Sequence, residues 1–170
     1  MSSIEDLKGS ISSGVSRADR YRIQLPNIDN TNGAARTLSL HCRAVNLPGR
    51  QIMTQERTIG MISQKMPYAF AFTDVSLTFL LDHDYTARTY FDEWQRQIVN
   101  LDKYELSYKT DYAKDVMIEQ LNHGDDSIVY GVNLLNAFPT TVNAISLGDD
   151  NENQLVQLSV ELSYTDWTRI

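Results

Sequence analysis

The sequence is poor in the residue types that build most catalytic and metal sites. It has one cysteine, Cys42, in 170 residues. An internal disulfide is therefore impossible, and a cysteine-rich zinc site is excluded. The lone thiol suits a reducing compartment. Histidine occurs at 41, 83 and 123 only, too scattered for a histidine metal site. No Gly-x-x-x-x-Gly-Lys, Gly-x-Gly-x-x-Gly or His-Glu-x-x-His stretch occurs, so phosphate cradles and zincin chemistry have no motif to rest on. Long apolar runs are missing too. Stretches such as Leu80-Leu81 fall far short of a membrane span. The start, Met-Ser-Ser-Ile-Glu-Asp-Leu-Lys, lacks the basic head and apolar stretch of a signal peptide. Positive charge is in deficit: 15 Lys and Arg against 22 Asp and Glu give a net charge of −7. Such a surface repels a polyphosphate and argues against tight nucleic-acid binding, though not against DNA sliding past.

What remains is 170 residues of mixed composition, enough for one domain whose core folds without a disulfide or metal. Residues 1–20 form a separate N-terminal segment, mobile or docking. Ile4, Leu7, Ile11 and Val15 give it a faint helical spacing. Residues 21–170 read as the single domain. Tyr21–Leu25 reads as a first strand ended by Pro26. Residues 37–45 alternate, with Leu38, Leu40, Cys42 and Ala44 opposing Thr37, Ser39, His41 and Arg43, which predicts a half-buried strand. Residues 72–81 alternate in the same way. Ala87, Phe91, Trp94 and Ile98 share one face of a helix over about 85–99. Asp84 is the expected N-cap, and Arg88–Asp92 and Asp92–Arg96 the expected surface pairs. Strands follow at about 115–122, 128–136 and 154–164. This is a mainly β pattern, a β-sandwich or open barrel with one helix.

Motif by motif, catalysis finds little support. Asp82-His83-Asp84 is the most enzyme-like triplet, but neighbours in sequence point apart, and a polar turn into a helix explains it better. Asp149-x-Asn151-x-Asn153 starts like a calcium loop, yet Gln154 and Val160 stand where the glycine and the bidentate glutamate belong. The unusual segment is about 46–70. It holds Met53, Met61 and Met66, and Arg50, Arg57 and Lys65 against one carboxylate, Glu56, in an otherwise acidic chain. Methionine adapts to partner surfaces. The segment reads as a long β-hairpin arm able to dock on an acidic patch of another copy, with Asp125, Asp126, Asp149, Asp150 and Glu152 as candidate patches. The bland alternative is a core hairpin with ordinary polar decoration.

Cys42-Arg43-Ala44 is followed by Leu47-Pro48, the arm, and Phe91-Asp92-Glu93-Trp94 in the helix. Phe138-Pro139-Thr140, the turn Asp149–Asn153, and Tyr164 with Trp167 complete the series. In that order and spacing the chain resembles the tail tube proteins of contractile-tailed bacteriophages. Thr165-Asp166 separates Tyr164 from Trp167, where close relatives place them together. The resemblance implies a tail tube-like fold, no enzymatic activity and no cofactor. It implies rings of six copies stacked around a channel, the arm reaching the next ring, within a contractile sheath. Expected partners are other copies of the chain, the sheath, baseplate and tail terminator proteins, and DNA passing without tight binding. The expected location is the virion tail, after assembly in the host cytoplasm. Glu119 and Glu161 are candidates for the channel lining. A baseplate tube initiator or a secretion-system tube protein is the alternative; a small calcium-binding or hydrolytic β-domain is a weaker one.

Overall fold

The computed structural model describes residues 4–10, 16–29, 31, 33–101, 103–145, 147–148 and 155–170. Its centre is one open antiparallel sheet. Strands β1 (Tyr21–Gln24), β2 (Cys42–Val45), β5 (Val75–Leu80), β8 (Lys114–Leu121), β9 (Ile128–Val142) and β10 (Gln157–Ser163) lie in the order β1-β8-β9-β10-β5-β2. A last strand, β11 (Asp166–Arg169), also pairs with β9. The hairpin β3 (Arg50–Ile59) and β4 (Ile62–Phe72) stands apart as its own two-stranded sheet, as does the small pair β6 (Val99–Asn100) and β7 (Glu105–Leu106).

Strand β9 bends the sheet. Its first half pairs with β8 and β11, its second half with β10. The bend falls at Asn136, which has a left-handed backbone (φ 53) and donates its N–H to Asp115 Oδ1 at 3.1 Å. Pro139 is tolerated three residues on because the β10 ladder shifts register there, between Glu161 and Leu162. The curvature brings the two ends of the sheet together. Tyr21 Oη, on β1, donates to the Cys42 carbonyl on β2 at 3.1 Å. The result is an open, strongly curved antiparallel sheet, in keeping with the β-sandwich or open barrel that the strand pattern predicts.

Period-two burial builds the core. Val75, Leu77 and Phe79 of β5, Val116 and Ile118 of β8, and Leu158, Val160 and Leu162 of β10 are all essentially inaccessible to solvent. Helix α3 (Thr86–Ile98) lies over them and buries Ala87, Tyr90, Phe91 and Trp94. The stripe differs slightly from the expected one: Tyr90 joins it, and Ile98 is only half-buried. The polar tips of the large rings are satisfied. Tyr90 Oη donates to the Pro26 carbonyl at 2.5 Å, and Trp94 Nε1 to the Tyr112 carbonyl at 2.8 Å. Each such ring contributes about 1.5–3 kcal/mol by burial.

Four features depart from the sequence-based expectation. Residues 37–41 are not strand. Helix α2 (Ala34–His41) occupies them, and only Cys42–Val45 is extended. The buried residues are Ala34, Ala35 and Leu38, one face of a helix, while Leu40 is left 81% exposed. Further short helices, α1 (Ile4–Ser10) and α4 (Lys109–Tyr112), accompany the single expected one. The cap of α3 is not Asp84. The chain enters through Tyr85 at φ 52, and Asp82 reaches forward instead, accepting from Thr86 N–H (2.8 Å) and Thr86 Oγ1 (2.5 Å). The Arg88–Asp92 pair forms at 3.0 Å, but Arg96 turns to Glu93 (2.6 Å) rather than to Asp92.

Candidate assembly surfaces

The arm follows from a two-residue turn. Gly60 sits at the first central position with φ 66, where a tight hairpin needs a residue free to go left-handed, and Ile59 faces Ile62 across it. From there the ladder runs back to Arg50 opposite Phe72, with one register shift between Met53 and Thr54. At about 3.3 Å per residue the arm is about 33 Å long. Every residue from 50 to 70 is exposed. Ile52, Ile59, Met61, Ile62, Tyr68 and Phe70 are each more than 60% accessible. An isolated two-stranded hairpin is marginal in water, so this one is built to be covered.

Pairing sorts the expected arm residues onto different faces. Arg57 lies opposite Gln64, and Met66 opposite Gln55, on the face that carries Ile59 and Ile62. Lys65 lies opposite Glu56 on the reverse face. Met61 forms the tip of the turn and Met53 lies near the base, where Tyr68 Oη approaches its sulfur at 3.9 Å. Arg50 is not at the docking end. Its guanidinium lies over the rings of Trp167 (5.0 Å), Phe72 (5.5 Å) and Phe70 (5.9 Å) and meets Asp166 at 3.6 Å. Sequence reasoning missed this root cluster. The signal was the turn at Gly60, whose register carries Arg50 to Phe72.

Of the acidic candidates, Asp125 and Asp126 are engaged within the subunit. Asp125 Oδ1 accepts from Asn122 Nδ2 (2.9 Å), Ser127 Oγ (2.8 Å) and Ser127 N–H (3.2 Å). Those bonds, the Ser127 hydroxyl foremost, hold its carboxyl below the usual range. Asp126 meets Arg20 at 3.4 Å. Asp149, Asp150 and Glu152 lie outside the described residues. The connection carrying them leaves β9 after Val142 and re-enters at Gln157, which pairs with Leu80 at the far end of β5. The arm joins β5 at its near end, through Phe72 and Val75. The arm and the acidic connection therefore leave opposite ends of the β5–β10 pair.

The face of the sheet turned away from the core is polar. Glu119 and Glu161 both belong to it, alternating with Ile118 and with Val160 and Leu162. They differ in availability. Glu119 is 4% exposed and bound by Arg22 (2.6 Å) and Gln24 (3.1 Å). Its charge is locally cancelled. Glu161 is half-buried, with no such cation among the described residues. The enzyme-like triplet dissolves as well, since Asp82 is committed to the helix start. Burial pushes the half-buried Cys42 thiol up to about 11, the reverse of an activated nucleophile.

A family model described as phage tail tube protein matches residues 14–170. The chain belongs to the phage tail tube protein family. That family is structural and non-enzymatic. No curated protein sequence matches this tail tube protein. Among solved structures it is similar to a chain of the sheath–tube complex of an extracellular contractile injection system (PVC) in the extended state. The identity is 15%, coverage is 100% of this chain and 99% of the other, and the TM-score is 0.65. A chain of the sheath/tube terminator of the same kind of system matches at 18% identity, 91% and 95% coverage and TM-score 0.64. A chain of the tube-terminating cap of the anti-feeding prophage matches at 17%, 92% and 91%, with TM-score 0.64. At these identities the likeness is one of fold, and it spans the whole tail tube domain.

Proposed function

We propose that this tail tube protein forms the inner tube of a contractile bacteriophage tail, as rings of six copies stacked around a channel through which DNA leaves. The observation that carries the reading is the arm, about 33 Å of exposed hairpin that no other described residues cover. In a stacked tube the arm of one subunit finds that cover on a copy in the next ring. Its Arg57 and Lys65 approach the acidic connection 143–156, which leaves the opposite end of the β5–β10 pair. Such a contact is heterologous, and repeated along an axis it is open-ended, as a tube requires. The sheath surrounds this tube, and baseplate and terminator proteins close its ends.

The channel lining follows from the polar face. Glu161 is the better candidate for a lumenal charge, because Arg22 already neutralises Glu119. A lining of like charge to DNA keeps the genome mobile. The similarity to structures of extracellular injection systems favours a second reading, a tube of a protein-delivering injection machine. DNA inside purified particles separates the two.

The test is electron microscopy of the purified chain and of a variant lacking residues 51–66. The full chain should form hollow tubes, and the variant single rings that do not stack. A full-length chain that stays monomeric at high concentration, or normal tubes from the deletion variant, would refute the proposal.

A further inference from the structure

We propose that Arg50 is the positioning residue of the arm: it clamps the hairpin root to the C-terminal strand β11 and so fixes the direction in which the arm points. The ladder bonds of β3 and β4 run only between those two strands. They stiffen the hairpin but do not orient it on the body. The chain enters and leaves the root through Gly49 and Thr73, joined by one backbone bond, Thr73 N–H to Gly49 O at 3.3 Å. A two-stranded ribbon held there alone could pivot.

Among the described residues, two side-chain bridges cross the root. Phe72 meets the Tyr164 ring at 5.6 Å, and Tyr164 Oη donates to the Thr73 carbonyl at 2.8 Å. That bridge holds the arm only by its last residue, Phe72, and by Thr73 just beyond it. Arg50 makes the other one. It is the point where the arm's aromatic pair, Phe70 and Phe72 at 5.4 Å, and the body's Trp167 and Asp166 converge on one group. A planar guanidinium suits that place, because it stacks on rings through its faces and meets a carboxylate through its edge. Phe70 is otherwise 64% exposed, so its contact with Arg50 carries the clamp outward beyond the root.

The lever is long. A pivot of about 20° at the root moves the tip of a ~33 Å arm by about 11 Å. A pre-aimed arm avoids the ordering cost of finding its site from a wide cone. This last consequence rests on the tube reading. The clamp itself does not.

The test uses the full chain with Cys42→Ala and two new cysteines, Met61→Cys at the tip and Gly124→Cys on the body, where an added Cβ meets nothing within 4 Å. Spin labels on both report the tip-to-body distance by pulsed electron resonance. The Arg50 background should give one narrow distribution. Arg50→Ala and, separately, Trp167→Ala should spread it over a range on the order of 10 Å, and Arg50→Lys should partly restore it. Melting followed through the buried Trp94 checks that the body stays folded. An equally narrow distribution in Arg50→Ala overturns the proposal. In unlabelled protein Arg50→Ala should raise the concentration needed for tubes. A spread arm with unchanged tube formation leaves the clamp standing and counts against stacking through the arm.

Discussion

Met61→Ser isolates the contribution of the arm tip. Met61 is wholly exposed at the turn of the hairpin, so the substitution removes no contact within the subunit. Surface changes of that kind alter stability by about 0.5 kcal/mol or less. In the proposed tube the same thioether is buried against a copy in the next ring. Full burial of a methionine is worth about 1.5–3 kcal/mol. Since about 1.4 kcal/mol is a factor of ten, one arm loses one to two orders of magnitude of affinity.

The assay is the critical concentration for tube formation, read by pelleting or light scattering, with thermal melting of the subunit alongside. If subunits add singly, the critical concentration should rise by about ten- to a hundredfold. If preformed rings add, six arms lose their tips together, about 9–18 kcal/mol per junction, and tubes should disappear. Met61→Leu, near-isosteric and apolar, should stay close to the unsubstituted protein. A critical concentration within twofold for Met61→Ser, with an unchanged melting curve, would remove the tip from the contact and with it the argument from exposure.

Three further outcomes follow from the body. Arg22→Ala strips the partner from the buried Glu119 carboxylate; because Arg22 itself is half-exposed, the cost should be about 1–2 kcal/mol in urea unfolding rather than that of a fully buried pair, and Glu119→Gln with Arg22→Ala should cost less than the separate sum. The Cys42 thiol, pushed up from 9.0 to about 11, should alkylate slowly at pH 8 in the folded protein and fast in urea. Its linked stability is full below pH 9 and declines as pH rises from there toward 11, and a thiol equally reactive in both states would refute this. Asp82→Ala should lose about 1 kcal/mol as a helix cap while Asp84→Ala loses little. Because bonds from Thr86 hold the Asp82 carboxyl below its ordinary value, its contribution is full above about pH 4 and fades as acid carries the pH down through the depressed value. Equal acid sensitivity in Asp82→Ala and the parent would contradict that.

Sequence patterns were legible where one rule governed a whole element. β5 and β10 alternate because one face is core and the other polar, and α3 shows its stripe because large rings must lie on that core. The reading failed where two rules competed. Leu38, Leu40, Cys42 and Ala44 alternate, but a helix through Ala34, Ala35 and Leu38 packs on α3 and β1, and that packing wins. The strand expected over about 128–136 runs on to Val142, and Pro139 is tolerated inside it because β10 shifts register beside it. The arm's existence was readable from composition, but not the role of Arg50, which depends on the late strand β11 folding back beside the root. Among the acidic candidates, sequence cannot tell a free carboxylate from one that closes its own turn, and Asp125 is the latter.

Apolar and polar residues are segregated along the arm. The tip is apolar: Ile59, Met61 and Ile62. The base is apolar too: Ile52, Met53, Tyr68 and Phe70. Between them lies a polar belt, Glu56 to Thr58 facing Ser63 to Lys65, with Gln55 opposite Met66 at its inner edge. A long, flat, uniformly apolar hairpin edge would pair with any strand it met. An arm interrupted by charge, on a subunit of net charge −7, resists that indiscriminate pairing. It also predicts where its partner must be dry and where wet: two apolar contacts, at tip and base, separated by a hydrated seam. Under the tube reading the seam is the boundary between rings, crossed by Arg57, Glu56 and Lys65. Raising salt should then weaken the choice of register between rings more than the strength of stacking, which the tip and base supply.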